Sequence, residues 1–220
     1  MLEIADCPVC GQKPRKFDNC PGCGTRPRIR TLFPIMKEVV SPLAGDIPGI
    51  VGKPVLAFAT TNAEKQQLGT CFPLQKSVSL YGNYGKDHEE GVDIRDLSRY
   101  PDGAFSGVFG VLLFDYFPEH EAALRESFRV LAPGGIFLTH IASSRLSDDD
   151  APAKLDSMLV RKPGYMNYIP ADKNLPSVHV GRKWFTAALA AAGFRAELHQ
   201  VHDAASKQKY DWFLGIKPKT

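Results

Sequence analysis

Glu119-His120-Glu121-Ala122-Ala123-Leu124-Arg125-Glu126-Ser127-Phe128-Arg129-Val130-Leu131 runs through Ala132-Pro133-Gly134-Gly135 into Ile136-Phe137-Leu138-Thr139-His140-Ile141. Ala122, Leu124, Phe128 and Leu131 recur at helical spacing, while Glu121, Arg125, Glu126 and Arg129 fall on the opposite face. Pro133-Gly134-Gly135 cannot continue a helix, and the apolar Ile136–Ile141 reads as a buried strand. Val108–Phe114, just upstream, is a second apolar run. Strand, helix and strand in this order form a unit whose two strands lie parallel, with both sheet faces covered.

The same alternation extends outward. Upstream, Val55–Ala59 and Ser77–Tyr81 read as strands, with a helix from about Asn62 to Leu68 between them. Downstream, Trp184–Ala192 is an alanine-rich helix stopped by Gly193. Ala196–Val201 and Trp212–Lys217 follow as two strands joined by a charged turn, so this last pair runs antiparallel. The predicted fold class is α/β, a doubly wound and mostly parallel sheet. Thr31–Val40 reads as a short helix with Pro34 in its first turn, and Ser41–Pro54 is a Pro- and Gly-rich linker. The predicted organisation is a small N-terminal unit over 1–30, helix and linker over 31–53, and the main domain over 54–220. An aperiodic insertion covers 143–182.

At 220 residues, 44% hydrophobic and 23% charged, the chain can bury a proper core and is not a disordered tail. Its longest apolar run, Val108–Phe114, is far too short to cross a bilayer, and Met1–Asp6 has no signal-peptide pattern. A membrane or secreted protein is therefore not expected. The net charge of +3 is local: residues 1–30 hold Lys13, Arg15, Lys16, Arg26, Arg28 and Arg30 against Glu3, Asp6 and Asp18. Such a patch suits phosphates of nucleic acid, or it is a solvated face that pairs with acids of the main body.

Four of the five cysteines form two knuckles, Cys7-Pro-Val-Cys10-Gly and Cys20-Pro-Gly-Cys23-Gly. Two residues between thiolates let backbone amides turn toward both sulfurs, and the following glycine permits the left-handed turn that closes each knuckle. The predicted metal ligands are Cys7, Cys10, Cys20 and Cys23, holding one tetrahedral zinc. Iron on the same sulfurs, or a redox dithiol pair, are the other readings. Thirty residues bury too little apolar surface to fold alone, so the metal would supply the folding energy of this unit. Intact thiolates point to a reducing, cytoplasmic compartment. Cys71, in an apolar stretch, is expected in the core.

Phe114-Asp115-Tyr116-Phe117-Pro118-Glu119-His120, running on to Arg129-Val130-Leu131-Ala132-Pro133-Gly134-Gly135, resembles class I S-adenosylmethionine-dependent methyltransferases. That family carries a helix ending in Arg-Val-Leu-x-Pro-Gly-Gly before its fifth strand. Val92-Asp93-Ile94-Arg95-Asp96-Leu97 and Asp102-Gly103-Ala104-Phe105 are similar to its adenine-contacting loop and the lead into its fourth strand. The double knuckle resembles a subgroup with a zinc ribbon ahead of the catalytic domain. The resemblance implies a seven-stranded Rossmann-like sheet, S-adenosylmethionine as cofactor and a donor site built on Ala59, Thr60, Thr61, Asn83, Tyr84, Asp93, Ile94 and Phe114. The family's Gly-x-Gly-x-Gly after the first strand is replaced by Ala59-Thr60-Thr61-Asn62-Ala63. Ala59 and Thr60 are small enough for close approach, and Thr61 or Asn62 is placed to cap the next helix. The ribose-binding acid at the tip of the second strand is also missing, which leaves Asn83 to serve.

Sites in open α/β sheets lie beyond the carboxyl ends of the strands, which adds the candidate catalytic residues Asp115, Tyr116 and His140. His140, emerging from Ile136–Thr139, is the candidate base for a hydroxyl acceptor, with a hydrogen-bonded core histidine as the other reading. Asp115 and Tyr116 border the donor or cap the next helix. Asp93 accepts from the adenine amino group or is a surface acid. His120 is expected exposed at a helix start, and His179 is a further candidate. Tyr165-Met166-Asn167-Tyr168 is expected either to wall in an acceptor or to pin the insertion to the core. The leading expectation is a methyltransferase acting on a small-molecule hydroxyl, of a sugar or secondary metabolite. An RNA methyltransferase gripping phosphates with the basic ribbon, and a non-catalytic methyltransferase-like binding module, are the alternatives.

Overall fold

The computed structural model describes residues 1–14, 19–45, 52–81, 88–142, 154–159 and 175–219. Its main sheet has eight strands: β1 (Leu2–Ile4), β2 (Val55–Phe58), β3 (Gln75–Ser79), β4 (His88–Glu90), β5 (Phe105–Val111), β6 (Leu131–His140), β9 (Arg195–Asp203) and β10 (Gln208–Ile216). They lie in the order β1-β9-β10-β6-β5-β2-β3-β4. β4, β3, β2, β5 and β6 are parallel, and β10 is antiparallel to both β6 and β9. Seven of these strands give the expected doubly wound order. The eighth corrects the expected count: Leu2, Glu3 and Ile4 pair in parallel with Val201, His202 and Asp203 at the sheet edge. A three-residue edge strand is too short to leave a periodic signal.

The insertion is not uniformly aperiodic. Its described part contains a separate antiparallel hairpin, β7 (Lys154–Leu159) with β8 (Leu175–His179). Tyr165–Tyr168 lies outside the described residues.

Helices cover both faces: α1 (Pro27–Pro34), α2 (Ser41–Gly45), α3 (Asn62–Gly69), α4 (His120–Val130) and α5 (Arg182–Ala191). Strand alternation divides the core. Leu56, Phe58, Phe137 and Phe213 pack with Leu124 of α4 and Phe185 and Leu189 of α5. Val55, Ala57, Ile136, Leu138, Trp212 and Leu214 pack on the other face with Leu32, Ile35 and Met36. The first helix begins at Pro27 rather than at Thr31, so Pro34 sits inside it, where its ring has no N–H to donate and crowds the carbonyl of Arg30. The backbone widens there into a π-helix over Ile35–Val40 before α2.

α4 passes straight into β6, and Pro133-Gly134-Gly135 lies within that strand. The register slips there, Phe105 facing Leu131 and Gly107 facing Ile136. A Cβ on Gly135 would meet the Ala132 carbonyl oxygen at 2.7 Å, so only glycine fits. Arg129 does the complementary work on the helix. It donates to the carbonyls of Leu97 and Tyr100 at 2.9 Å each and bonds Asp102 at 2.7 Å. Glu126 accepts from the Leu97 amide at 2.8 Å. The end of α4 thereby fixes the loop that carries Asp93 and Ile94.

Candidate active site and metal centre

The carboxyl ends of β2, β5 and β6 meet on one edge of the sheet. Two non-glycine residues there adopt left-handed backbone, Ala59 at φ 49° and Leu112 at φ 57°. An L residue in this region costs about 1–2 kcal/mol, and such strain collects at sites of function. Ala59 stands where the family has its first glycine, and it keeps a glycine-like backbone. Thr60 is buried and its Oγ1 has no hydrogen-bond partner. Thr61 caps α3: its Oγ1 accepts from the Glu64 amide at 3.4 Å, and the Glu64 carboxylate accepts from the Thr61 amide at 2.7 Å. A left-handed turn beside an orphaned buried hydroxyl fits a polar ligand at this loop, and so fits the donor expected there. Thr61 and Glu64 thus close a reciprocal capping box at the start of α3.

Asp93 is held by Arg95, whose Nη2 lies 2.6 Å from Oδ2 and whose amide lies 2.9 Å from Oδ1. Burial pushes the Asp93 carboxyl up, but these bonds outweigh it and hold it below the usual carboxylate range. Ile94 is buried in the core, as is Phe114, whose ring packs on Phe117, Phe137 and Phe185. β3 ends at Ser79, two residues before the expected end, and Ser79 Oγ and Ser77 Oγ bond the two ring nitrogens of His88 at 2.7 and 3.0 Å. Asn83 and Tyr84 lie outside the described residues.

Asp115 and Tyr116 belong to a 3-10 turn, Phe114–Tyr116, against which β8 of the insertion packs. Asp115 accepts from the Ala142 amide at 3.3 Å, tying the ends of β5 and β6 together. His140 is buried at the end of β6, with its ring against Tyr210 and Trp212 and Nδ1 2.8 Å from the Asp211 carbonyl. Leu112 donates to the His140 carbonyl at 2.9 Å. The structure thus brings Ala59–Thr61, Asp115, Tyr116 and His140 to neighbouring strand ends.

His120 is buried, not exposed. Its Nε2 lies 2.8 Å from the Phe114 carbonyl, and Phe114, Phe117, Trp184 and Phe185 surround it. Burial lowers its pKa to about 4, so the ring is neutral. His179 ends β8. Cys71 is half-buried rather than in the core, its thiol 3.6 Å from the Met36 carbonyl.

A cluster absent from the sequence reading lies beside His140. The carboxylate of Asp211, fully buried on β10, accepts from Arg182 Nε at 2.7 Å and Gln200 Nε2 at 2.9 Å. The available signal was one acid in an otherwise apolar strand, Tyr210-Asp211-Trp212-Phe213-Leu214.

The four knuckle sulfurs all lie within 4.8 Å of one another, with Cys7–Cys23 at 3.6 Å and Cys10–Cys20 at 3.4 Å. Tetrahedral zinc at about 2.3 Å from each sulfur sets edges of about 3.8 Å, so the ligand set fits. Each knuckle is closed by backbone: the amides of Gly11 and Gly24 donate to the carbonyls of Cys7 and Cys20 at 2.8 and 2.7 Å. Burial raises the Cys7 thiol to about 12, while the amides of Cys23 and Gly22 outweigh burial and lower Cys20 to about 6. A divalent cation among the sulfurs removes that conflict by holding all four as thiolates.

Comparison with known proteins agrees with this architecture. Residues 55–139, from β2 to the end of β6, match the methyltransferase domain family. This match, together with the strand order, supports a class I S-adenosylmethionine-dependent methyltransferase, an enzyme of the transferase class. Among solved structures it resembles an S-adenosylmethionine-dependent methyltransferase from Mesorhizobium loti, with TM-score 0.53 and 12% identity over 80% of this chain and 96% of that one. It also resembles the Burkholderia thailandensis 1,6-didemethyltoxoflavin-N1-methyltransferase, at TM-score 0.50 and 15% identity over 80% and 77%. A third likeness is a chain of the Haloferax volcanii complex containing the Trm112 methyltransferase activator, at TM-score 0.52 and 15% identity over 87% and 93%. No protein of curated function matches. Among the described residues, no helix is long and apolar enough to cross a membrane.

Proposed function

We propose that the enzyme methylates a small-molecule acceptor, a hydroxyl of a sugar or secondary metabolite, in a cytoplasmic compartment reducing enough to keep four thiolates. The observation that carries this reading is the seating of Asp115, Tyr116 and His140 at adjacent strand ends beside the β7–β8 hairpin. S-adenosylmethionine, when bound, supplies an electrophilic methyl group. On this chain Ala59, Thr60 and Thr61 bound the methionine end, Asp93 and Ile94 the adenine end, and Phe114 backs the site from the core. Asn83 and Tyr84 are assigned to the ribose. Asp115 and Tyr116 orient the acceptor, and His140 takes the hydroxyl proton through a ring nitrogen. Cys7, Cys10, Cys20 and Cys23 hold a structural zinc within a 1–30 unit ahead of the 54–220 domain. Arg30 supports a small acceptor over RNA, because it is fully buried against Asp203 and withdrawn from the basic surface.

Calorimetric titration of the zinc-loaded protein with S-adenosylmethionine and S-adenosylhomocysteine tests the donor site, with micromolar affinity expected for both. A panel of hydroxylated small molecules and a tRNA pool, assayed with methyl-tritiated donor, then separates the acceptors. Label entering RNA alone would overturn the small-molecule reading.

A further inference from the structure

Thr61-Asn62-Ala63-Glu64 is a capping-box sequence, and its reciprocal bonds form at the start of α3. They use the Glu64 carboxylate unevenly. Oε2 accepts from the Thr61 amide at 2.7 Å and from the Thr61 hydroxyl at 2.8 Å, whereas Oε1 accepts from none of the described residues. Glu64 is 2% exposed, and no lysine or arginine of the described residues pairs with it. A shut-in carboxylate is costly unless a cation or several donors meet it. Two bonds from one threonine and the amides of the first helical turn offset only part of that cost.

The charge lies against the strained turn that follows β2. Ala59 holds φ 49°, and the Thr60 hydroxyl is buried without a partner. The Thr61 hydroxyl is committed to Glu64 in both senses, donating to Oε2 and accepting from the Glu64 amide. Two polar groups thus remain at this loop: the Thr60 hydroxyl, which can donate, and an anionic oxygen of Glu64, which can only accept. Together they match the amino-acid end of a ligand. Its carboxylate needs a donor, and its ammonium needs a negatively charged acceptor.

We propose that Glu64 is the counter-ion of the methyl donor's α-ammonium group, with the Thr60 hydroxyl serving its α-carboxylate. This rests on the reading of Ala59–Thr61 as the donor loop. The capping box then has two roles: it starts α3, and it holds a charge against that loop. An ammonium bonded to Oε1 neutralises the buried carboxylate, so ligand binding and relief of an unpaired charge coincide. A neutral group in the same place gains nothing from Glu64, which makes this residue a determinant of donor specificity.

Calorimetry on the full-length zinc-loaded protein, with S-adenosylhomocysteine and with its analogue lacking the α-amino group, isolates the contact. Wild type is expected to favour S-adenosylhomocysteine by about tenfold or more, the effect of one charge-assisted bond. Glu64→Gln can still close the capping box, so it should unfold at the same denaturant concentration or a higher one. That variant should bind the two ligands alike, with its affinity for the deaminated analogue at or above the wild-type value. Wild type that does not discriminate overturns the counter-ion, as does Glu64→Gln with the full preference or with an equal loss for both ligands. Wild type that binds neither ligand overturns the donor-loop reading itself, and the proposal with it.

Discussion

Arg30 Nη2 lies 2.6 Å from Asp203 Oδ2, with both side chains shut away from solvent. Arg30 also donates through Nη1 to the Thr25 carbonyl at 3.2 Å, and the Thr25 hydroxyl lies 2.9 Å from Cys23 Sγ. A short chain of contacts thus runs from the thiolate cluster through α1 to the outer strands of the sheet. Removing one partner strands a buried charge, and Arg30→Met or Asp203→Asn should each cost about 3–5 kcal/mol. Denaturant unfolding measures this. Arg30→Met combined with Asp203→Leu should recover much of the loss, because no charge is then left unpaired.

Loss of metal should be felt beyond the knuckles. The wild-type protein is expected to hold one zinc per chain by elemental analysis. Cys7→Ser with Cys20→Ser should reduce this to background and raise amide exchange in Arg30 and Asp203 as well as in residues 1–14. Metal content unchanged in the double variant would refute the zinc assignment.

Ala59 holds a backbone conformation that suits glycine. Ala59→Gly should therefore not destabilise the fold and should gain up to about 1 kcal/mol, a reversal of the usual effect of glycine. Its neighbour gives a sharper test. Thr60→Val removes an unpartnered buried hydroxyl, and should leave the free protein as stable or more so by about 1 kcal/mol. If Thr60 bonds the donor, the same change should weaken S-adenosylmethionine binding about tenfold in calorimetry. Equal affinities would remove Thr60 from the site.

His120 gives the fold a pH dependence. Its folded pKa, near 4, lies below the ordinary 6.5, so the unfolded chain binds a proton more readily. Stability is full above about pH 6.5 and falls as the pH drops toward 4, by about 3 kcal/mol from this residue alone. His120→Gln should flatten that slope in unfolding curves taken between pH 4 and 7.

The sheet was legible because its strands are buried on both faces and read as continuous apolar runs, as in Val55–Ala59 and Ile136–Ile141. The knuckles were legible because ligand spacing is local. His120 was misread because α4 starts beneath α5, and only tertiary packing places Trp184 and Phe185 over its ring. The Asp211 assembly was invisible for a related reason: Arg182, Gln200 and Asp211 come from three elements whose adjacency depends on strand order. The second strand's tip shows a different limit, since Ser77, Ser79 and His88 satisfy one another across a parallel pair that the spacing of the sequence does not reveal.

The parallel pairing of Leu2–Ile4 with Val201–Asp203 has a consequence for synthesis. A ribosome delivers these partners 199 residues apart, so the first strand must wait for nearly the whole domain to emerge before it can dock. With zinc bound as proposed, the knuckle beside it folds in that interval from local ligands alone. It keeps a short, unpaired strand tethered to a compact body rather than free to pair with another nascent chain.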